Sequence, residues 1–265
     1  MALRKRAAQP KTLAPVHPNA GLQMAYRRKL ESMVDDLHAS LLWWLRSAYR
    51  ANTPEMAQDE SPAMALRDVM RKLSRRWQRN FDRGADDLAG WFAKAAADRS
   101  DKALQQILRT AGFSVRFKMT DAANDVMQAT IGEQVGLIKS IASQHLSQVE
   151  GMVMRSVSTG RDLGTLTKEL EERFGVTRRR AALIARDQSN KATATITRVR
   201  QRELGVTEAI WMHSHGGREP RPSHVEFSGQ RYDIEKGAFL DGKWVWPGTE
   251  INCRCVSKSV VPGFE

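Results

Sequence analysis

The feature that most constrains the fold is a change in hydrophobic periodicity at Gly205. Before this residue, apolar side chains recur at spacings of three and four, the period of one helical face, with breaks at 52–54, Gly112 and 159–160. After it, short apolar stretches alternate between Gly, Pro and Asp turns, which is typical of short strands. We therefore predict an α+β fold, in which a mostly helical N-terminal two-thirds, with long helices and a helical hairpin, precedes a small C-terminal β-rich module.

Composition and periodicity together divide the chain into four segments. The first contains three prolines, four Lys/Arg and few large apolar side chains, so we expect an extended basic arm. The predicted segments are the arm at 1–20, a helical N-terminal region at 21–119, the helical part of a second domain at 120–205, and the β-rich module at 206–265.

The helical hairpin is predicted at 162–205. Gly175-Val-Thr177 has the composition of a tight turn, with Thr177 as the N-cap of the second helix and three arginines directly after it. A helix, a glycine turn and a basic helix resemble a helix-turn-helix, which offers the alternative function of a DNA-binding regulator. The other interpretation is a packed hairpin with a solvated basic face.

The charge of the chain points to a polyanionic partner. The formal net charge is +12, residues 1–30 hold seven Lys/Arg and no acid, and residues 173–202 hold nine Lys/Arg and one Asp. Clusters of this kind attract nucleic acid, although solubility and a passive tail would also account for them. The predicted DNA-contacting residues are Arg4, Lys5, Arg6, Arg178, Arg179 and Arg180.

The sequence argues against a membrane or secreted protein. No apolar run approaches the ~20 residues needed to span a bilayer. The basic N-terminus is not followed by an apolar segment, so we expect no signal peptide. Two cysteines do not make a disulfide framework, which favours folding in a reducing compartment.

Three of the six histidines and both cysteines lie between Trp211 and Val256. Side chains two residues apart on a strand share a face, so a Cys-x-Cys pair can chelate a metal, although C-x₂₋₄-C spacing is the more usual one for zinc. The tentative structural zinc ligands are His224, Cys253 and Cys255, with His213 or His215 as the fourth. Two buried thiols beside a hydrogen-bonded histidine, or a strained disulfide, are the alternatives.

The same segment also offers two catalytic interpretations. His224 with Asn252 could imitate a metal-dependent nuclease, and a Cys–His pair could imitate a thiol enzyme. The sequence contains neither a phosphate-binding P-loop nor a histidine–asparagine–histidine order with nuclease spacing. We therefore expect no catalytic residues, with a metal-dependent nuclease kept as the remaining enzymatic alternative.

Several motifs occur in a fixed order from Asn124 to the C-terminal cysteines. They are Asn124 with the helix after it, Arg180-Ala-Ala-Leu-Ile-Ala-Arg186-Asp-Gln-Ser-Asn190, a strand with Trp211, Arg221-Pro-Ser-His224 followed by Gly229, and Pro247-Gly-Thr-Glu-Ile-Asn252-Cys253-Arg-Cys255. The ordered set resembles the phage head morphogenesis, or minor head protein, family, which includes the phage Mu F-like proteins and their SPP1 relatives. Asp187-Gln188 and the His213-Ser-His215 loop depart from the usual family pattern.

The resemblance implies a structural role rather than an enzymatic one. Family members are virion components present in few copies, located inside the head and in the host cytoplasm during assembly. The implied partners are the portal protein, the major capsid or scaffold protein, and packaged double-stranded DNA, with no membrane contact. The residues matching the family motifs are Asn124, Arg186, Trp211, Gly229 and Asn252.

Overall fold

The computed structural model describes residues 11–51, 62–158, 162–217 and 219–261. The helices are α1 Ala20–Ala51, α2 Pro62–Thr110, α3 Asp121–Ser158, α4 Leu163–Glu203 and α5 Pro222–Glu226. The strands are β1 Glu208–Met212, β2 Arg231–Asp233, β3 Ala238–Leu240, β4 Lys243–Val245 and β5 Val256–Ser259. Long helices therefore precede a small β-rich region, which confirms the predicted α+β class.

Helices α1, α3 and α4 begin at side-chain caps, and α2 and α4 end at glycines. Asn19, Thr120 and Asp162 each accept a hydrogen bond from a backbone N–H in the first turn of the helix that follows. Gly112 and Gly205 follow α2 and α4 with positive φ angles of 92° and 73°, a conformation that glycine adopts without steric cost.

The predicted turn at Gly175–Thr177 is wrong, because α4 is one continuous helix through this segment. Thr177 is buried, and its hydroxyl donates to the carbonyl of Arg173, a bond that leaves the helix intact. Leu170 and Ala181 are buried on either side of the glycine. Burial of this apolar face outweighs the ~1 kcal/mol that a glycine costs within a helix. A helix-turn-helix motif is therefore not formed at 162–205.

The β-rich module contains two antiparallel sheets. In the first sheet β1 lies between β2 and β5, with Ala209 opposite both Tyr232 and Ser259, and the second sheet pairs β3 with β4. The four strands expected from the sequence correspond to β1, β2, β4 and β5, whereas β3 was not predicted. The buried core of the module includes Val206, Ala209, Trp211, Tyr232, Ile234, Cys253 and Cys255.

The segment before α1 pairs with the edge of this module. Thr12 forms a β-bridge with Val260, and the N–H of Leu13 donates to the carbonyl of Ser259 at 3.0 Å. Leu13 is buried in an apolar cluster with Val16, Leu104 and Leu108. The described part of the predicted arm is thus extended and packed, whereas Arg4, Lys5 and Arg6 lie outside the described residues.

The chain divides into two compact units that do not follow sequence order. One contains the described residues of Met1–Gln23, Phe92–Thr130 and Arg186–Glu265, and the other those of Met24–Trp91 and Ile131–Ala185. The division of the chain into segments 1–20, 21–119, 120–205 and 206–265 therefore remains a prediction. No helix in the described ranges is long and apolar enough to cross a membrane.

Candidate metal centre

One histidine and two cysteines converge in the core of the β-rich module. His224 lies on the short helix α5 and is 2% exposed, and Cys253 and Cys255 are each 4% exposed. The Nδ1 atom of His224 is 3.5 Å from Cys253 Sγ and 3.7 Å from Cys255 Sγ. The side chains predicted as the main metal ligands are therefore adjacent and buried.

Helix α4 holds the loop that carries the cysteines. Asp187 Oδ1 accepts the backbone N–H of Asn252 at 2.6 Å, and the Asn190 side-chain amide donates to the carbonyl of Cys253 at 3.1 Å. Arg186 donates to the side-chain oxygen of Asn252 at 3.3 Å. Asn252 itself has a φ of 60°, in the left-handed region that asparagine tolerates better than most residues. These bonds fix the backbone of the loop at Asn252 and Cys253.

The sequence interpretation selected Arg186 and Asn252 but missed Asp187 and Asn190. Asp187 was noted only as a departure from the family pattern, and its role depends on a loop more than 60 residues away. The available signal was two amide- or carboxylate-bearing residues one helical turn apart on a predicted helix.

Trp211 and Gly229 support the centre from the sheet side. Trp211 is fully buried, and its ring meets that of His224 edge to face at 5.0 Å between centroids. The N–H of Gly229 donates to the carbonyl of Trp211 at 2.8 Å, in a turn that requires a φ of 85°. Asn124, by contrast, lies in the first turn of α3, where its N–H donates to the carbonyl of Thr120.

The two cysteines have opposite proton affinities. Hydrogen bonding from the Cys255 thiol, with a further contribution from His224, lowers the pKa of Cys253 although burial opposes this. The hydrogen bond to Cys253, together with burial, raises the pKa of Cys255. The hydrogen bond to Cys253 raises the pKa of His224, and burial opposes this rise. The arrangement therefore favours loss of the proton from Cys253, and thiolate is the form that binds metals.

Glu250 lies on the opposite side of the imidazole. Its Oε2 atom is 3.0 Å from His224 Nε2, so the two groups form an ion pair when the imidazole is protonated. Lys243 contacts the other carboxylate oxygen, and Arg221 lies 3.6 Å from Oε2. Burial opposes ionisation of Glu250, but these cations outweigh it and lower its pKa. An ionised carboxylate thus faces Nε2 while Nδ1 faces the sulfurs.

A cleft of about 300 Å³ opens beside the cluster. Its lining includes His213, Arg221, Asn252 and Arg254 together with the three clustered side chains. The rings of His213 and His215 pair with each other, with their Nδ1 atoms 3.4 Å apart. Among the described residues, the only group of three or more metal-binding side chains within 4.8 Å is His224, Cys253 and Cys255. Neither histidine predicted as a fourth ligand belongs to it.

The arginines predicted to contact DNA on α4 have different environments. Arg178 pairs with Glu31 at 3.5 Å and with Asp35 at 3.4 Å, and Arg180 donates to the hydroxyl of Ser140 at 2.9 Å. Arg179 is exposed.

The fold and the site define an α+β protein whose long helices precede a small β module built around a buried His–Cys–Cys cluster. Residues 147–258, which include all of α4 and the whole cluster, match the family model described as phage Mu protein F like protein. This match confirms the resemblance found in the sequence motifs.

An uncharacterized protein of Haemophilus influenzae (strain ATCC 51907 / DSM 11121 / KW20 / Rd) is 25% identical over 266 residues. The alignment covers 99% of this chain and 58% of the relative, so the chain spans little more than half the length of that protein. No solved structure matches the chain.

Proposed function

We propose that the protein is a phage minor head protein that acts in head morphogenesis as a structural component. The observation that carries this proposal is the match of residues 147–258 to the phage Mu F-like family. Within the matched segment, Arg186, Trp211, Gly229 and Asn252 all support one buried centre, so the motif has a structural rather than a catalytic explanation.

The proposed location is the interior of the head, after assembly in the host cytoplasm, with the portal protein as the direct partner. The major capsid protein or the scaffold protein is the other proposed partner inside the head. Cross-linking of assembled particles followed by mass spectrometry tests this assignment. We expect cross-links from this chain to the portal. Cross-links confined to tail proteins, or absence of the chain from purified heads, would overturn it.

Packaged DNA is the proposed second partner. The net charge of +12 favours a polyanionic partner. Arg178 and Arg179 are both exposed, but Arg178 pairs with Glu31, and Arg180 donates to Ser140. Arg179 is therefore the one of these three arginines that, within the described residues, is both exposed and without an acidic partner. We expect Arg179 and the segment with Arg4, Lys5 and Arg6 to contact phosphates without base recognition.

Binding of random-sequence duplex DNA across a salt series tests the DNA contacts. The wild-type protein is expected to lose affinity steeply as salt rises, and Arg179→Gln is expected to reduce the slope of log K against log salt by ~1. Arg178→Gln is the matched control, because this arginine already pairs with Glu31 and Asp35. A strong preference for one duplex sequence, or no binding at low salt, contradicts the proposal.

The proposed contribution is structural, so no nucleolytic turnover is expected. A plasmid nicking assay with Mg²⁺, Mn²⁺ or Zn²⁺ checks this directly. Cleavage by the wild-type protein that is lost in His224→Ala would replace the structural assignment with a metal-dependent nuclease.

A further inference from the structure

We propose that His224 Nδ1, Cys253 Sγ and Cys255 Sγ bind one Zn²⁺ ion, and that its fourth coordination position opens into the adjacent cleft, where water or a small anion completes the tetrahedron. This inference rests on side-chain geometry alone and does not depend on the proposed role in head assembly.

The two nitrogen–sulfur separations match those of a zinc tetrahedron. With Zn–S near 2.3 Å and Zn–N near 2.0–2.1 Å, a tetrahedral ion places a nitrogen and a sulfur ligand about 3.6 Å apart. The His224 nitrogen is 3.5 Å from one sulfur and 3.7 Å from the other. All three ligand atoms lie within 4.8 Å of one another, so one ion can contact them together.

The Cys-x-Cys spacing suits this geometry because both sulfurs face the same imidazole nitrogen. Side chains two residues apart on one side of a chain can bind a single ion. Both cysteines are free and buried, and a disulfide across a single residue would be strained. A shared metal uses both sulfurs without that strain.

The surroundings of the three ligands are those of a metal site. Glu250 faces His224 Nε2 at 3.0 Å, which favours a proton on Nε2 and leaves the Nδ1 lone pair for the metal. The N–H of Gly248 points to Cys253 Sγ at 3.4 Å and stabilises a thiolate. Each ligand is at least nineteen-twentieths buried, so the ion would be shielded from competing water on three sides.

The fourth position is assigned to the cleft because the described structure supplies no fourth ligand to the cluster. Two thiolates balance the charge of Zn²⁺, and Arg221 and Arg254 line the cleft beside it. This surrounding positive charge favours an exchangeable water or anion at the open position. His213 borders the cleft, but it is not the assigned ligand.

Metal analysis of the full chain, purified without chelators or a metal-affinity column, tests the site. We expect one zinc per chain in the wild-type protein and a loss of at least tenfold in zinc affinity in His224→Ala, Cys253→Ser and Cys255→Ser. His213→Ala and His215→Ala are matched controls and are expected to keep stoichiometric zinc. A wild-type protein that lacks zinc, and has two thiols that react with a thiol reagent or are joined as a disulfide, overturns the proposal.

Cobalt substitution of the wild-type protein tests the geometry even if the cysteine variants fail to fold. Tetrahedral Co²⁺ with two thiolates is expected to show intense visible bands and a sulfur-to-metal charge-transfer band. Addition of azide should shift the visible bands, because the fourth position is open. Bands that are insensitive to azide in the wild-type protein but become sensitive in His213→Ala would show a closed site with His213 as a ligand, and would overturn the open position.

Discussion

At the scale of single residues, a glycine is needed at position 248 for two reasons, its backbone conformation and the lack of space around it. Its φ of 81° lies in the left-handed region, and a Cβ atom there would lie 3.0 Å from Ala194 Cβ and 3.1 Å from the carbonyl oxygen of Cys255. The loop that carries the cysteines therefore approaches α4 so closely that a side chain at this position would push its neighbours apart. Gly229 has a similar φ of 85°, but a Cβ atom there would meet nothing within 4 Å.

Gly248→Ala is expected to destabilise the protein more than Gly229→Ala. Both changes incur the ~1–2 kcal/mol cost of a left-handed alanine, but only the first adds steric overlap with α4. Chemical denaturation of both variants measures the difference. Equal losses in the two variants would contradict the close packing at Gly248.

His145 makes the stability of the compact unit formed by Met24–Trp91 and Ile131–Ala185 depend on pH. Burial, with smaller contributions from His38 and Arg173, lowers its pKa from 6.5 to about 4. Its Nδ1 lies 2.8 Å from the Thr177 hydroxyl, which itself donates to Arg173, so the neutral ring is the donor. Because the unfolded chain takes up a proton first, stability is complete above about pH 6.5 and falls as the pH drops toward 4.

The expected loss from this residue is about 3 kcal/mol between neutral pH and pH 4. Urea denaturation at a series of pH values measures it. His145→Gln removes the titrating group and is expected to flatten the curve over this range. A variant with the same pH slope as the wild type would show that other groups are responsible.

At the scale of elements, α4 is the structure on which the site depends. Its C-terminal half presents Asp187 and Asn190 to the cysteine loop, and its N-terminal half continues through Gly175 without a turn. Gly175 is not among the residues with positive φ. A glycine in this environment lowers the stability of the helix, and no turn requires it.

Gly175→Ala is therefore expected to stabilise the protein by about 0.5–1 kcal/mol. Gly205→Ala is the matched control, because Gly205 follows the end of α4 with a φ of 73° and its replacement is expected to destabilise. Thermal unfolding distinguishes the two. A decrease in stability on Gly175→Ala would contradict an unstrained helical glycine at this position.

The sequence predicted the long helices and four of five strands because their periodicities and flanking turns are local properties. The helix α5, with only five residues, is too short to show a period. The strand β3 was not predicted, although β2 and β4 have the same length of three residues. Gly175 was misread because the packing of Leu170 and Ala181 is a tertiary effect. The His224, Cys253 and Cys255 cluster was predicted by residue type, whereas the support from Asp187 and Asn190 depends on long-range folding.

At the scale of the whole molecule, residues 11–13 and 259–261 join the two ends of the described chain. Lys11, Thr12 and Leu13 pair with the edge of β5 through hydrogen bonds and a β-bridge. The pairing places Leu13 against Leu104 and Leu108 from α2. A single apolar cluster therefore depends on segments from the beginning, middle and end of the sequence.

Leu13→Ala is expected to cost about 2–4 kcal/mol, since Leu13 is buried and its removal leaves a cavity. Met119→Ala, at a position that is 59% exposed, is the control and is expected to change stability little. Denaturant titration gives both values, and hydrogen exchange of the β5 amides shows whether the edge pairing opens. Unchanged stability in Leu13→Ala would mean that this contact does not form in solution.

The pairing of residues 11–13 with 259–261 also sets an order of events during translation. Residues 11–13 leave the ribosome long before β5 is made, so their pairing with residues 259–261 can form only after β5 has emerged. Closure of so long a loop is slow, because its entropy must be lost before the contacts compensate. Until then, Leu13 and Val16 can be covered only by Leu104 and Leu108 of α2, without the pairing at the edge of β5. The complete cluster therefore forms only after β5 is made, and chaperone binding to its apolar side chains would protect the chain before that point.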